Sequence, residues 1–442
     1  MSAILAAEQA ARRRVQIRNN MQHPSPPSLG STAAPVGGRI ERIARQTLLL
    51  AAFSIPFSTA LANLFAGLTL IAFVAALLGD RSLARALRTP AALLALALLA
   101  LVLVGATWSV APPDEVQDGM RKYAKLMVLP LALCLCWRAP ALPARVLYAS
   151  LGGCAVLATS LYLVWLDSMP TSSLGWWRVG DMSDPYAFRN HITIGILLSF
   201  AACASFLLAT YAQGTRARLA LLGVGVYFGA PILMGNGRTG YVGLFIGLFA
   251  LYLLRGRVTF LRSALVAAAM SLLFAGVYMV SPNVKTRMDL LVTEVSQNDA
   301  TTPNGLRISF MKTGVQAVAA RPLLGYGTGS FSEVYAPEAQ RIWGASPETA
   351  RVRHQPHSEP LLLAVQLGVP GVALYFALLG AIGKAALARR DPMADALALL
   401  LAIFGLTSLF NSLLWDPTEA YWFLLLAGAL YGHCIRQRAT AQ

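Results

Sequence analysis

The chain has 442 residues, of which 56% are hydrophobic and only 13% charged, with a formal net charge of +16. A soluble globular chain carries roughly a quarter charged residues, so this composition excludes an ordinary soluble domain and points to the membrane class. The basic excess then needs no nucleic acid, because cytoplasmic loops of membrane proteins collect Lys and Arg.

Residues 1–44 are polar, basic and rich in Pro, Ser and Gly. The stretch His23-Pro24-Ser25-Pro26-Pro27 separates Arg12, Arg13 and Arg14 from the first apolar run. A signal peptide places its apolar segment directly after its charges, so a cytoplasmic tail is expected, with an amphipathic helix near Ala3–Arg18 resting on the membrane. The run Leu48–Gly79 is too long for one span, and Pro56 and Asn63 are expected to divide it in two. Further runs follow at about 91–108, 120–137, 146–166, 191–212, 219–235, 240–254, 262–280, 358–384, 394–411 and 420–436. Each approaches the ~18–20 residues that cross a bilayer as helix, and nothing alternates as barrel strands do. The expected fold is an all-α polytopic membrane protein of about twelve helices: nine in 45–280 and three in 358–442.

Alternate short loops carry the Arg and Lys residues: Arg81, Arg85 and Arg88; Arg138 and Arg145; Arg216 and Arg218; Arg255, Arg257 and Arg262; Lys384, Arg389 and Arg390. The tail and Arg436 and Arg438 fall on the same side, so both termini are expected in the cytoplasm. Arg121, Lys122 and Lys125 break the alternation, and suit either headgroup anchoring or an anion. The opposite face holds one long segment, 281–357, in which Ile308, Met311, Val315 and Val318 mark a helix over about Asn304–Ala319.

Several polar residues on that face need a reason. Arg238 stands in the turn Gly235-Asn236-Gly237-Arg238-Thr239-Gly240, and Arg189 precedes Asn190 and His191 at the start of a span. An arginine deep in lipid costs about 2.5–3.5 kcal/mol on insertion scales, so each is either an interfacial anchor or part of an anion site. Arg287, Arg307 and Arg321 add to the second alternative, since guanidinium forks suit phosphate oxygens. His357 lies in His354-Gln355-Pro356-His357-Ser358-Glu359-Pro360. The two prolines argue against a regular helix presenting both histidines, so no metal is expected. No Walker loop or nucleophile elbow is present. The five cysteines sit in or beside apolar spans without metal or disulfide spacing.

Read together, these motifs resemble a known superfamily. His357-Ser358, nine residues, then Gly368-Val369-Pro370-Gly371 resembles the signature of the O-antigen ligase, O-antigen polymerase and protein O-oligosaccharyltransferase superfamily. Asn236–Gly240 is similar to the family's Ser-x-Gly-Arg turn. Arg307, followed by Arg321-Pro322-Leu323-Leu324-Gly325-Tyr326-Gly327-Thr328-Gly329, resembles the run ahead of the His motif. Where the family often has a Trp soon after the Arg307 position, this chain has Phe310 and Met311.

The resemblance implies a GT-C-type glycosyltransferase of the bacterial inner membrane with its active site facing the periplasm, needing no cofactor and no metal. For a ligase, O-antigen linked to undecaprenyl diphosphate is the donor and lipid A–core the acceptor. His357, Arg238 and Arg189 are then expected to be catalytic, and Arg307, Arg321, Tyr326, Glu359, His191 and Arg287 to bind substrate. A polymerase or a protein O-oligosaccharyltransferase shares these motifs. A lipid-linked glycan transporter is the alternative outside the superfamily, disfavoured because most apolar spans lack midplane charges.

Overall fold

A computed structural model describes residues 38–168, 179–181, 185–235, 237–255, 259–280, 285–286, 289–290, 302–344 and 355–439. The tail and its amphipathic segment, Asn236, Arg287 and His354 lie outside the described residues. Residues 39–442 form one compact unit. The described residues hold helices and no strand, save an isolated bridge between Val179 and Ala187.

In chain order the α-helices are α1 (Arg39–Ser54), α2 (Thr59–Gly79), α3 (Pro90–Gly105), α4 (Pro113–Tyr123), α5 (Val128–Arg138), α6 (Leu142–Trp165), α7 (His191–Tyr211), α8 (Thr215–Met234), α9 (Arg238–Arg255), α10 (Phe260–Val280), α11 (Pro303–Ala320), α12 (Phe331–Trp343), α13 (Glu359–Leu387), α14 (Pro392–Thr407) and α15 (Pro417–Ala439). Local chemistry sets many of the starts. Pro stands in the first turn of α3, α4, α11, α13 and α14, where its missing N–H costs nothing. The side chains of Ser58, Asn190, Thr302 and Asp391 accept from otherwise unpaired N–H groups of the helices they precede.

Seven helices among the described residues are long and apolar enough to cross a membrane: α2, α3 with its continuation to Trp108, α6, α7, α8, α9 and α13. The protein is thus a polytopic helical membrane protein. Three sequence expectations change. The run 48–79 breaks at Pro56, but Asn63 sits inside a continuous α2. The span expected at 120–137 is divided into α4, a 3-10 turn at Ala124–Met127 and the 11-residue α5. The span expected at 394–411 ends as helix at Thr407, leaving an irregular turn up to Asp416.

Small residues fix the closest helix contacts. A Cβ on Gly195 of α7 would lie 2.5 Å from the Gly240 backbone of α9, and one on Gly247 2.6 Å from Cys203 Sγ. Ser199 donates from its hydroxyl to the Gly240 carbonyl at 3.0 Å. Gly428 of α15 meets the Leu129 carbonyl of α5 in the same way, at 2.4 Å. Without a hydrophobic drive between helices in lipid, such close approach is what supplies packing energy. The α7–α9 contact carries the Arg238 turn directly against the start of α7.

Candidate active site

Glycine geometry joins the loops at one end of the bundle. Residues 321–330 form a tight run between α11 and α12. Gly325, Gly327 and Gly329 in it have φ of 63°, 91° and 80°, a region closed to most side chains. The run bonds to two helices at once. Tyr326 and Gly327 N–H donate to the Val365 and Gln366 carbonyls of α13 at 2.9 and 2.8 Å. Thr328 N–H donates to the Gly105 carbonyl of α3 at 3.2 Å, and its hydroxyl to the Val102 carbonyl at 2.6 Å. The Val365 and Gln366 carbonyls are available because α13 is interrupted at Gly368, with φ 64° and ψ −158°. A Cβ at Gly368 would stand 2.4 Å from the Leu323 carbonyl oxygen. The two halves of the signature read from the sequence therefore dock on each other. Tyr326 and Arg321 stack here, with the guanidinium 4.6 Å from the ring centroid.

The same docking fixes α11, and α11 carries the polar centre. Arg238, the first residue of α9, donates from Nη1 to Asn304 Oδ1 at 2.7 Å. One turn on from Asn304, Arg307 is largely buried. That burial lowers its affinity for a proton below the ordinary arginine value, and the Arg238 charge lowers it further. One more turn on, Phe310 packs its ring 6.2 Å from that of His357. Residues 304, 307 and 310 recur at helical spacing, so one face of α11 meets both Arg238 and His357.

His357 has a φ of 55°. A non-glycine residue in this region is uncommon and holds backbone strain of order 1–3 kcal/mol. Its neighbours hold it there. Gln355 Nε2 donates to Asp416 Oδ1 at 3.2 Å, Ser358 N–H to Ser412 Oγ at 3.1 Å, and Glu359 N–H to the Ser408 carbonyl at 2.9 Å. His357 is half-buried, its ring beside that of Phe310.

Other expected residues are placed differently. Arg189 was expected in catalysis, but its fork is spent on the break between α1 and α2. Nε and Nη2 donate to the Pro56 and Ile55 carbonyls at 3.2 and 2.7 Å, and Nη1 to the Thr59 hydroxyl. The first helix ends at Ser54, and Arg189 satisfies two of the carbonyls that follow it. Burial again lowers its proton affinity, and Glu419 raises it. Glu359 is fully buried. Its carboxylate accepts from the Tyr123 hydroxyl at 2.9 Å and from the Leu414 and Trp415 N–H at 2.8 and 3.4 Å. His191 opens α7, its ring edge-on to Tyr186 at 5.5 Å and its backbone under Gly237.

Sequence reasoning missed the turn 408–416. Asp416 lies in it among buried groups, and burial pushes its carboxyl above the usual range while Lys125 pulls it down. The anomalous cations Lys122 and Lys125 belong to this turn. Lys122 Nζ sits 4.2 Å above the Trp415 ring and 3.0 Å from Asp118, and Lys125 Nζ donates to the Trp415 carbonyl at 3.2 Å. The available signal was charge itself: cations on a face depleted of them call for carboxylates nearby, and Asp416 and Glu419 were the candidates.

Beside the Arg238 turn a shallow apolar groove is lined by Leu161, Tyr162, Trp165, Pro185, Pro231 and Met234. The site thus combines a histidine, two neighbouring arginines and an apolar groove.

Residues 223–376 match the O-antigen ligase family model. That segment is similar to the O-antigen ligase family. It takes in Arg238, Asn304, Arg307, Phe310, the 321–330 run, His357 and the Gly368 interruption. Arg189, Lys125 and Asp416 lie outside it. No curated protein matches the chain. The family supports ligase- or polymerase-type chemistry on lipid-linked glycans.

Proposed function

We propose that the protein is a metal-independent, inverting glycosyltransferase of GT-C type that joins O-antigen from undecaprenyl diphosphate to lipid A–core at the periplasmic face of the inner membrane. The observation that carries this reading is the single face of α11 that meets Arg238 through Asn304 and His357 through Phe310. A transfer of this kind has two electrostatic demands, and the two ends of that face suit them.

An acceptor sugar hydroxyl attacks the anomeric carbon while its proton passes to a ring nitrogen of His357, an imidazole being suited to proton transfer near neutral pH. The new bond joins the acceptor oxygen to that carbon. The bond that breaks is the one from the anomeric carbon to the phosphate oxygen, and undecaprenyl diphosphate leaves with the electron pair. Arg238, with Arg307 beside it, lowers the energy of the developing negative charge. One displacement inverts the anomeric centre. Arg189 contributes by holding the α1–α2 break, and Arg321 and Tyr326 by shaping the loop that carries α11.

The test is transfer by purified protein from undecaprenyl-diphosphate glycan to lipid A–core, with no added metal or nucleotide. Product that disappears in His357→Ala and Arg238→Ala supports the assignment. Lengthening of the glycan instead moves the protein to the polymerase branch. Loss of activity with chelator, restored by a divalent ion, refutes the metal-independent chemistry.

A further inference from the structure

We infer that Lys125, acting with Asp416, is a positioning residue that holds the His357 segment in its working conformation through the turn 408–416. The inference rests on the proposed role of His357 as the base.

Three layers of contacts carry it. The outermost is the segment 355–359, whose strained residue is His357. On either side of that residue, Gln355 and Ser358 bond into the turn, at Asp416 and Ser412. Glu359 binds the same turn by its backbone at Ser408 and by its carboxylate at Leu414 and Trp415. The turn itself has no regular structure, so its shape depends on what grips it. The grip comes from the end of α4 and the following 3-10 turn. Tyr123 packs edge-on against Trp415 at 5.9 Å and donates to Glu359, while Lys125 holds the Trp415 carbonyl.

Lys125 is only 6% exposed, and Asp416, Lys122, Glu419 and Glu359 all lie within electrostatic reach of it. A buried ammonium surrounded by carboxylates is costly to remove alone, because it leaves those carboxylates uncompensated. Its removal therefore loosens the turn, and a loosened turn releases His357 from its left-handed backbone. A base misplaced by an ångström loses rate without losing substrate affinity.

Lys125→Met, Lys125→Arg and the double variant Lys125→Met/Asp416→Asn are compared with the parent, full length in detergent. Two readouts are taken: steady-state transfer, and amide hydrogen exchange of the peptide spanning 355–362. The expected result for Lys125→Met is a kcat lowered by about tenfold or more with KM little changed, and faster exchange at 355–359 while α1 and α2 exchange as before. Lys125→Arg restores both. The double variant, relieved of the uncompensated charge, recovers exchange protection relative to Lys125→Met. Unchanged exchange at 355–359 in Lys125→Met overturns the inference, as does a loss seen only in KM. A parent that transfers no glycan refutes the proposed function instead, and exchange then decides the structural coupling alone.

Discussion

The two ends of the bundle treat their charges differently. At the arginine-rich end, carboxylates meet cations directly: Asp80 and Glu41 with Arg138, Asp395 with Arg255 and Arg390, Asp391 with Arg389. At the loop end Arg189 donates to carbonyls, Arg238 to an amide and Lys125 to a carbonyl, with Asp416, Glu419 and Glu359 in electrostatic reach of Lys125. A carboxylate cancels the charge it orients. An amide or carbonyl orients a guanidinium and leaves its charge in place, which is what an anionic leaving group requires. The first end pairs its arginines with carboxylates directly, and the second orients Arg189 and Arg238 through neutral oxygens.

The largest effect expected from breaking this contrast is at the centre. His357→Ala should lower transfer by about 10²–10⁴-fold, the usual range for a positioned acid–base group, read by turnover of the purified protein. Arg238→Ala should cost about 10²–10³-fold in kcat, and Asn304→Ala, which leaves the charge but frees its geometry, should cost less. Putting a carboxylate at that amide sharpens the comparison: Asn304→Asp should pair with Arg238 and lower kcat more than Asn304→Ala does. If Asn304→Asp is the faster variant, the field argument is wrong.

Gly368→Ala tests the frame instead of the field. The left-handed backbone alone adds about 1–3 kcal/mol, and the clash with the Leu323 carbonyl adds to it. The expected outcome is a lower Tm, with activity lost in proportion to folded protein. Arg189→Ala belongs with it: three donors leave buried acceptors unpaired, so stability should fall by about 1–3 kcal/mol.

The smallest effect lies at the arginine-rich end. Arg138 and Ser82 hold the Asp80 carboxyl well below the usual carboxylate range. A carboxyl depressed in the folded state contributes stability that is present above its unfolded value and is lost as pH falls toward its folded one. Asp80→Asn should therefore lower Tm slightly at neutral pH and not at all at strongly acid pH. Equal effects at both would mean that packing, not charge, explains Asp80.

Much of this was legible in residues 223–376, where Arg238, Arg307 and His357 are picked out by motif and are linked in the fold through α11. A sequence gives the side of the membrane on which Arg189 stands but not its partners. One of them is the Pro56 carbonyl, 133 residues earlier. Lys122 and Lys125 were visible as exceptions to the charge pattern, yet the turn that explains them begins some 290 residues later. Glu359 stands two residues from His357, but its carboxylate faces Tyr123 and the turn 412–416.

Composition and periodicity by themselves determined that the chain is helical and polytopic, because apolar runs of this length satisfy their backbone in lipid only as helices. Glycine and proline positions marked where those helices must break. What only the tertiary structure decided is which cations keep their charge available and which are consumed as scaffold. That depends on the oxygen each one meets, and those oxygens come from distant segments brought together by packing.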